Sequence, residues 1–165
     1  MDMANSDFNF CPRCGFQLAH EHLYGQMREV CLNCKWIHFI DPKVAAAVLI
    51  LQDERVLLVR RSNEPFRGMW TLPAGFINGN EDPAEAAVRE CLEETGLSVR
   101  VMRVFDIVAG REHPRGADFV IVYQAEIISG EMAADDDADA VEWFDKNNLP
   151  PLAFRATQAV LARDL

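Results

Sequence analysis

Residues 75–97 have the sequence GFINGNEDPAEAAVRECLEETGL, which predicts one capped helix with two chemically different faces. Asp82 is a typical helix cap, Pro83 suits the first helical position, and Glu85 stands where an acid completes a capping box. Gly96 is typical of a residue that ends a helix. The stretch therefore predicts a helix that begins at about residue 83 and ends before the glycine.

One face of this helix is apolar and the adjacent face is acidic. With an advance of about 100° per residue, the apolar stripe consists of Ala84, Ala87, Val88, Cys91 and Leu92. The acidic arc consists of three glutamates whose carboxylates can converge on one point, Glu90, Glu93 and Glu94. Arg89 lies four residues from Glu85 and from Glu93, so we expect it to hold the flank of this cluster without neutralising it.

Converging carboxylates repel one another, because like charges at helical spacing cost stability. A hard divalent cation such as Mg²⁺ or Mn²⁺ neutralises oxygen ligands of this kind and keeps positions open for water and a substrate phosphate. The alternative is an acidic face that is merely solvated. The joint agreement of helical spacing, cap and flanking glycine favours the metal site.

This pattern resembles the box of the Nudix family, G-x5-E-x7-R-E-U-x-E-E-x-G-U, in which U is an apolar residue. The matching positions are Gly75, Glu81, Arg89, Glu90, Glu93, Glu94, Gly96 and Leu97. The departure is Cys91, where the family usually has Ile, Leu or Val; its place on the apolar stripe indicates a small core residue rather than a nucleophile. The resemblance covers residues 43–165 and implies an α+β fold, an α/β/α sandwich with a mixed sheet.

The resemblance also implies a metal-dependent hydrolase and assigns roles within the box. Glu90 and Glu94 are expected to bind Mg²⁺ or Mn²⁺ together with the backbone carbonyl of Ala74, and Glu81 is a further candidate ligand. Glu93 is either a ligand or the base, and Arg89 is an orienting partner. In some members of the family a loop carboxylate is the general base; the acidic segment at 129–140 offers Glu131, Asp135, Asp136 and Asp137.

The rest of this region predicts strands and a terminal helix. Apolar runs predict a hairpin of strands at 43–51 and 55–61, long strands at 98–110 and 117–128, a short strand at 140–144 and an amphipathic helix at 154–165. Arg60 and Arg61 end the second strand and are candidates to bind a substrate phosphate. Glu112, in the loop between the two long strands, is a candidate contact near the cleft.

A second motif lies in the first forty residues, where CPRC (11–14) and CLNC (31–34) are separated by sixteen residues. Two such pairs suit a closed tetrahedral zinc site with four thiolate ligands, Cys11, Cys14, Cys31 and Cys34. The alternative of two disulfides is disfavoured in a chain that we expect in the cytoplasm. Three histidines are alternative ligands that we expect at the surface, since four cysteines complete a site: His20, His22 and His38.

We therefore expect two domains, a zinc ribbon at residues 1–40 and a Nudix hydrolase domain at residues 41–165. The start MDMANSDFNF lacks the basic and apolar regions of a signal peptide, and no apolar run is long enough to span a membrane. The net charge of −10 argues against non-specific binding to nucleic acid or to anionic membranes. The expected partner is a small-molecule substrate, and a homodimer is an option because related Nudix proteins often pair.

Two groups of ribbon-bearing Nudix proteins resemble this chain. NADH pyrophosphatases carry an SQPWPFP-type segment after the box, where this chain has RVMRVFDIVAG (100–110). Relatives of ADP-ribose and FAD pyrophosphatases have an L-A-F element similar to Leu152-Ala153-Phe154. The resemblance thus favours ADP-ribose or FAD as substrate, with release of AMP. The alternatives are an NADH pyrophosphatase-like activity, or a non-catalytic nucleotide sensor that uses the ribbon as an interaction module.

Overall fold

The computed structural model describes residues 8–114 and 116–163, and the chain divides between Asp41 and Pro42 into two compact units. The N-terminal unit contains a small antiparallel sheet of strands β1 (Ala19–Leu23) and β2 (Gln26–Val30). Each C-x-x-C motif forms a turn with the same pair of 2.8 Å hydrogen bonds: Cys11 N–H to Phe16 O and Gly15 N–H to Cys11 O, and Cys31 N–H to Trp36 O and Lys35 N–H to Cys31 O.

The second unit is a mixed sheet, as predicted. Its strands are β3 (Val44–Gln52), β4 (Arg55–Arg61), β5 (Trp70–Thr71), β6 (Ala74–Phe76), β7 (Leu97–Ala109), β8 (Phe119–Gly130) and β9 (Ala138–Asp145). The β3–β8 pair is parallel, from Val44 opposite Phe119 to Ile50 opposite Ala125. The other pairings between these strands are antiparallel.

The predicted hairpin of β3 and β4 is paired only beside its turn. Two residue pairs connect the strands, after which β3 pairs with β6 and β8 while β4 pairs with β5 and β9. The three-residue strand β6 runs antiparallel to β3, with Ala74 opposite Ala47 and Phe76 opposite Ala45. Sequence analysis missed β5 and β6 because strands this short have no hydrophobic period. The pairing of β6 with β3 fixes the backbone of Ala74 and Gly75, which precedes the helix that carries the acids.

Helices α1 (Pro83–Thr95) and α2 (Arg155–Leu161) cover opposite faces of the sheet. Alternate residues of β3 divide between the two cores: Ala46, Val48 and Ile50 pack with Ala87 and Cys91 of α1, and Ala47 and Leu49 pack with Val160 and Leu161 of α2. Burial of both faces explains why β3 is a continuous apolar run. The expected α/β/α sandwich is confirmed.

Helix α1 begins and ends where predicted, but its buried face is rotated. Asp82 Oδ1 accepts the Ala84 N–H at 2.8 Å, and Gly96 adopts a left-handed conformation with φ of +71°. Leu92, predicted for the apolar stripe, is 47% exposed, whereas Glu94 is only 6% exposed. The prediction that Leu92 lies on the buried stripe is therefore wrong. The helix directs the Glu94 carboxylate toward the sheet, whereas hydrophobicity alone would place a leucine there.

The other predicted boundaries are close to the observed ones. Strands β7, β8 and β9 each begin within two residues of the predicted starts. The terminal helix is shorter than predicted, since α2 covers Arg155–Leu161 and residues 164–165 lie outside the described chain. Among the described residues, neither helix has the length and hydrophobicity that a membrane crossing requires.

Candidate functional site

Glu90 lies directly against the backbone of β6. A methyl group placed on Gly75 would lie 2.1 Å from Glu90 Cδ and 2.2 Å from its Oε2, so only glycine permits this approach. Burial raises the pKa of Glu90, with Glu93 and Asp136 acting in the same direction and Arg89 opposing them. The first glycine of the box therefore makes room for a carboxylate.

Glu94, four residues further along α1, is bound to the same strand. Its Oε2 accepts the Ala74 N–H at 3.0 Å. Burial raises the pKa of Glu94 to about 8; the carboxylates of Glu90 and Asp137 add to this rise, and the Ala74 N–H opposes it. The buried carboxylate of Glu94 and the partly buried carboxylate of Glu90 thus flank the short backbone segment that carries the Ala74 carbonyl.

This arrangement fits a hard divalent cation. Glu90, Glu94 and the Ala74 carbonyl are oxygen donors of the kind that Mg²⁺ and Mn²⁺ prefer. Both carboxylates have raised pKa values because burial penalises their charged forms. A bound cation would favour those charged forms, so the donors and their electrostatic state both suit a metal.

Arg89 organises the outer side of the cluster. Its Nε and Nη2 donate to the two oxygens of Glu81 at 2.7 and 3.0 Å, and its Nη1 donates to Glu90 at 2.7 Å and Glu93 at 2.9 Å. Nη2 also donates to the carbonyl of Phe76 at 3.2 Å, at the end of β6. The hydrogen bonds from Arg89 lower the pKa of Glu81 to about 2. Arg89 therefore contacts three carboxylates, more than the flanking role predicted for it.

The carboxylates of Glu90, Glu93 and Glu94 are predicted to converge on one point, but the structure brings together a different set of three acids. Glu93 is 45% exposed and faces Arg89, whereas Glu90 and Glu94 share the buried face. The reason is geometric, since Glu93 and Glu94 are neighbours in sequence and lie about 100° apart around the helix. The acids that meet at the guanidinium are Glu81, Glu90 and Glu93, and Glu94 stands apart on the Ala74 backbone.

The acidic segment at residues 131–137 is attached to the C-terminal end of α1. Two backbone hydrogen bonds make this attachment, Ala133 N–H to Thr95 O at 2.9 Å and Asp135 N–H to Glu94 O at 3.3 Å. A turn closed by Ala138 N–H to Asp135 O at 3.1 Å follows. Asp137, inside this turn, lines a cavity next to Ala74. Asp137 thereby differs from the other acids of the segment in lining the cavity, while the charge of the neighbouring Asp136 acts on Glu90.

The cavity beside β6 has a volume of about 410 Å³. Its floor is made of small aliphatic residues of β3 and β8, including Ala45, Ala47 and Val122, and α2 forms one wall. Charged side chains stand at its rim, among them Arg61, Glu64 and Asp137. Because Ala74 and Gly75 also line it, the cavity adjoins the backbone that Glu90 and Glu94 contact.

The two candidate arginines have different surroundings. Arg61 lines the cavity, and its guanidinium lies 5.1 Å from the centre of the Phe154 ring. Arg60 donates through Nε to Asp139 at 2.6 Å and lies 5.8 Å from the centre of the Trp70 ring. Adjacent residues of a strand point to opposite faces, so the structure brings only one of this pair to the cavity.

Glu112 lines the cavity and also caps α2. Its Oε2 accepts the Arg155 N–H at 2.8 Å and its Oε1 accepts the Ala156 N–H at 3.1 Å. Phe154, at the cap position, has no side-chain oxygen for the free N–H groups of the first turn. Glu112, a loop residue distant in sequence, accepts these N–H groups instead. It therefore positions the start of α2, a function that its sequence context does not reveal.

The N-terminal unit brings its four paired cysteines together. Cys11, Cys14, Cys31 and Cys34 have Sγ atoms within 4.8 Å of one another, and all five cysteines of the chain are free thiols. The closest pairs join the two motifs, Cys11 with Cys34 at 3.6 Å and Cys14 with Cys31 at 3.5 Å. These distances exceed the roughly 2.05 Å of a disulfide and fit four thiolates around one zinc ion.

The histidines do not belong to this thiol cluster. His20 and His22 are exposed, as predicted. His38 is different, since its Nδ1 lies 2.8 Å from Glu29 Oε2 and its side chain is only 18% exposed. His38 is therefore partly buried rather than fully exposed, and it pairs with the buried carboxylate of Glu29.

Cys91 behaves as the predicted core residue. It is fully buried, its Sγ lies 3.6 Å from Thr95 Oγ1, and burial raises the pKa of its thiol to about 11. A thiol with a raised pKa is a poor nucleophile at neutral pH. Cys91, the residue that departs from the box pattern, thus contributes to the packing of the core.

The sequence did not predict that the loop at residues 62–69 is part of the site. Ser62 and Asn63 contact Asp137, and Phe66 packs edge-on against Phe154 with ring centres 5.3 Å apart. The only signal in the sequence is a run of turn-forming residues, which indicates a loop but not its neighbours.

Comparison with known proteins agrees with this geometry. The family model described as NUDIX domain matches residues 41–165. An ADP-ribose pyrophosphatase from Methanocaldococcus jannaschii is 42% identical over 121 residues, which cover 73% of this chain and 72% of that protein. The solved structure of a NUDIX hydrolase from Nitrosomonas europaea has a TM-score of 0.80 at 29% identity, covering 94% of this chain and 89% of that one.

A third relative aligns with both units of the chain. The NAD-capped RNA hydrolase NudC of Vibrio cholerae serotype O1 is 29% identical over 154 residues, which cover 91% of this chain and 54% of that protein. The chain thus spans about half the length of this relative.

Replacing Gly75 with alanine should displace Glu90, because the new methyl group would overlap the carboxylate. We expect Mg²⁺-dependent turnover to fall by about 100-fold or more, as when an interaction at a reacting centre is lost. The matched control is Gly79→Ala, since a Cβ at Gly79 meets nothing within 4 Å. Equal turnover in the two variants would contradict the role assigned to Gly75.

Replacing Glu94 with glutamine should stabilise the metal-free protein at about pH 8. The folded protein holds the Glu94 proton up to about pH 8, and the ordinary value is 4.5. Because the folded state binds more protons in this range, the parent loses stability as the pH rises between these values. In thermal unfolding, the amount by which the Tm of Glu94→Gln exceeds that of the parent should therefore increase from about pH 5 to about pH 8.

Saturating Mg²⁺ should reverse this order at about pH 8 by stabilising the parent more than the variant. The exposed Glu142→Gln change is the control and should give no such pH dependence. A constant difference between parent and Glu94→Gln across the pH range would show that Glu94 is not a buried, proton-holding acid.

The purified chain should contain one zinc ion, held by the four paired thiols. Cys31→Ser removes a fully buried ligand, so we expect loss of zinc and of the local fold that the metal stabilises. Elemental analysis and near-UV circular dichroism would measure both. Cys91→Ala, which removes the cysteine outside the cluster, should retain the zinc; loss of zinc there, or its retention in Cys31→Ser, would refute this ligand set.

Proposed function

This chain belongs to the NUDIX family, and from that premise we propose that it hydrolyses the diphosphate bond of a nucleoside diphosphate joined to a second group. ADP-ribose or FAD is the favoured substrate, and AMP is one product. Water adds across the P–O–P bridge, so that each half leaves as a monophosphate. The similarity to the M. jannaschii ADP-ribose pyrophosphatase supports this substrate class.

The observation that carries the proposal is the position of the cavity. It adjoins Ala74 and Gly75, which Glu94 and Glu90 contact from α1. A nucleoside in the cavity would therefore hold its diphosphate next to the two buried carboxylates. The aliphatic floor suits a flat base, and the charged rim suits ribose hydroxyls and phosphate oxygens.

Glu90, Glu94 and the Ala74 carbonyl are the groups that we assign to Mg²⁺ or Mn²⁺. The metal supplies charge neutralisation of the phosphate oxygens and acidification of a bound water. Arg89 fixes Glu90 against β6 through its bonds to Glu81 and to the Phe76 carbonyl. Glu93, which is half-exposed and bound to Arg89, is better placed to orient Arg89 than to act as the base.

Asp137 is the carboxylate that we assign as general base. It lines the cavity at Ala74, and its charge acts on Glu94. Asp135 instead accepts the N–H of Asp136 through its own side chain at 2.8 Å, within the turn. The burial of Glu94 makes it a ligand rather than a base, since its charged form needs a cation beside it. We assign Arg61, which lines the cavity, to a substrate phosphate.

A second candidate is a nicotinamide dinucleotide, which the similarity to the V. cholerae NudC favours. A panel of ADP-ribose, FAD, NADH and a 5′-NAD-capped RNA oligonucleotide, tested at saturating Mg²⁺, separates the candidates by kcat/KM. If NADH or the capped RNA has the highest kcat/KM, we would assign the substrate to this second class. Binding of nucleotide without product release would indicate a sensor.

Glu90→Gln and Glu94→Gln should each lower kcat by about 100- to 1000-fold, the usual cost of losing one charge-stabilising contact at the reacting centre. AMP release from ADP-ribose, followed by chromatography, measures the change. Glu85→Gln is the matched control on the same helix, because Glu85 is exposed in the first turn. If both site variants hydrolyse ADP-ribose and FAD as fast as Glu85→Gln, the assignment of these carboxylates is wrong.

A further inference from the structure

We propose that Asn63 is a positioning residue that holds the Asp137 carboxylate at the hydrolytic site. The inference rests on the proposed function, in which Asp137 is the general base. Asn63 lies in the loop between β4 and β5, and its partner is 74 residues further along the chain. No local pattern in the sequence links the two.

Three hydrogen bonds join the two loops at Asp137, and they divide into two kinds. The N–H and the hydroxyl of Ser62 both donate to the backbone carbonyl of Asp137 at 2.9 Å. The Nδ2 of Asn63 donates to the side-chain Oδ1 of Asp137. Ser62 therefore fixes the backbone, while Asn63 selects the direction of the carboxylate. An exposed aspartate without such a donor would exchange among several rotamers.

The loop that carries Asn63 is itself closed at its base. Gly68 N–H donates to Arg61 O at 2.9 Å and Arg61 N–H donates to Met69 O at 3.0 Å. Arg61 lines the same cavity as Asp137. The amide of Asn63 thus belongs to a loop with a closed base, and it bonds this loop to Asp137, which lines the cavity.

An amide is the donor that this position needs. It binds one oxygen of a carboxylate without placing a positive charge beside it. A lysine or arginine would pair with Asp137 and compete with the metal cation for nearby acids. With Oδ1 engaged by Asn63, Oδ2 is the oxygen that we assign to the attacking water. A shift of about 1 Å in this oxygen can cost about 100-fold in rate.

The test is a double-mutant cycle in the full chain, with ADP-ribose at saturating Mg²⁺. Asp137→Asn should lower kcat by about 100-fold or more, within the range known for general bases. Asn63→Ala should lower kcat by about 10- to 100-fold with KM changed less than about twofold. In the Asp137→Asn background, Asn63→Ala should have no further effect, because Asn63 acts through the carboxylate that is already gone.

A residue with a merely structural role would give a different result, since its loss would lower kcat equally in both backgrounds. That outcome would overturn the proposal, as would parental kcat in Asn63→Ala. Asn63→Asp keeps the shape but replaces the donor with a second carboxylate, so it should lose at least as much activity as alanine. If Asn63→Ala fails to fold, full activity in Asn63→Asp would still overturn the proposal.

Asn148→Ala is the matched control, because Asn148 is an exposed residue in the turn at the opposite end of β9 from Asp137. Its kcat and thermal stability should equal those of the parent. Parental kcat in Asp137→Asn would remove the base assignment and this inference together. Failure of the hydrolase assignment itself would appear separately, as nucleotide binding by the parent without product release.

Discussion

The packing of two carboxylates of α1 against the three-residue strand β6 is the constraint on which the site depends. Glu90 occupies the space that a side chain at Gly75 would need, and Glu94 accepts the N–H of the preceding residue. Antiparallel pairing with β3 holds this strand in the sheet. The helix, the strand and the core beneath them are therefore fixed by the same contacts that position the acids, and a cation is the group that relieves the cost of their burial.

Two cations are assigned to this group of carboxylates. The Arg89 guanidinium lies on the outer side, and a metal ion is proposed for the inner side. Arg89 neutralises the outer side through Glu81, Glu90 and Glu93, and it also binds the end of β6. Glu94, which lies on the inner side, has no comparable bond to Arg89 among the contacts described for it, and burial raises its pKa to about 8. The fixed guanidinium thus serves structure, and the inner side is the one that we assign to a metal ion.

The substrate side of the site is built from loops that are far apart in sequence. Glu112 caps α2 from the loop after β7, and Asp137 is joined to the loop after β4. These contacts connect the walls of one cavity to each other. The cavity proposed to bind substrate is consequently shaped by polar bonds between loops, whereas the proposed metal ligands are held by one helix and one strand.

The sequence by itself determined the helix with its caps, the acids at box spacing and the paired cysteines, because each is a local pattern of fixed spacing. The mixed sheet followed from the resemblance of the box to the Nudix family. The sequence also assigned Cys91 to the core. Only the tertiary structure decided that Leu92 faces solvent and Glu94 the sheet, that Arg61 rather than Arg60 lines the cavity, and that Asp137 stands apart from its acidic neighbours. The physical reason is that these outcomes depend on helix rotation and on hydrogen bonds between segments distant in sequence, which no local period records.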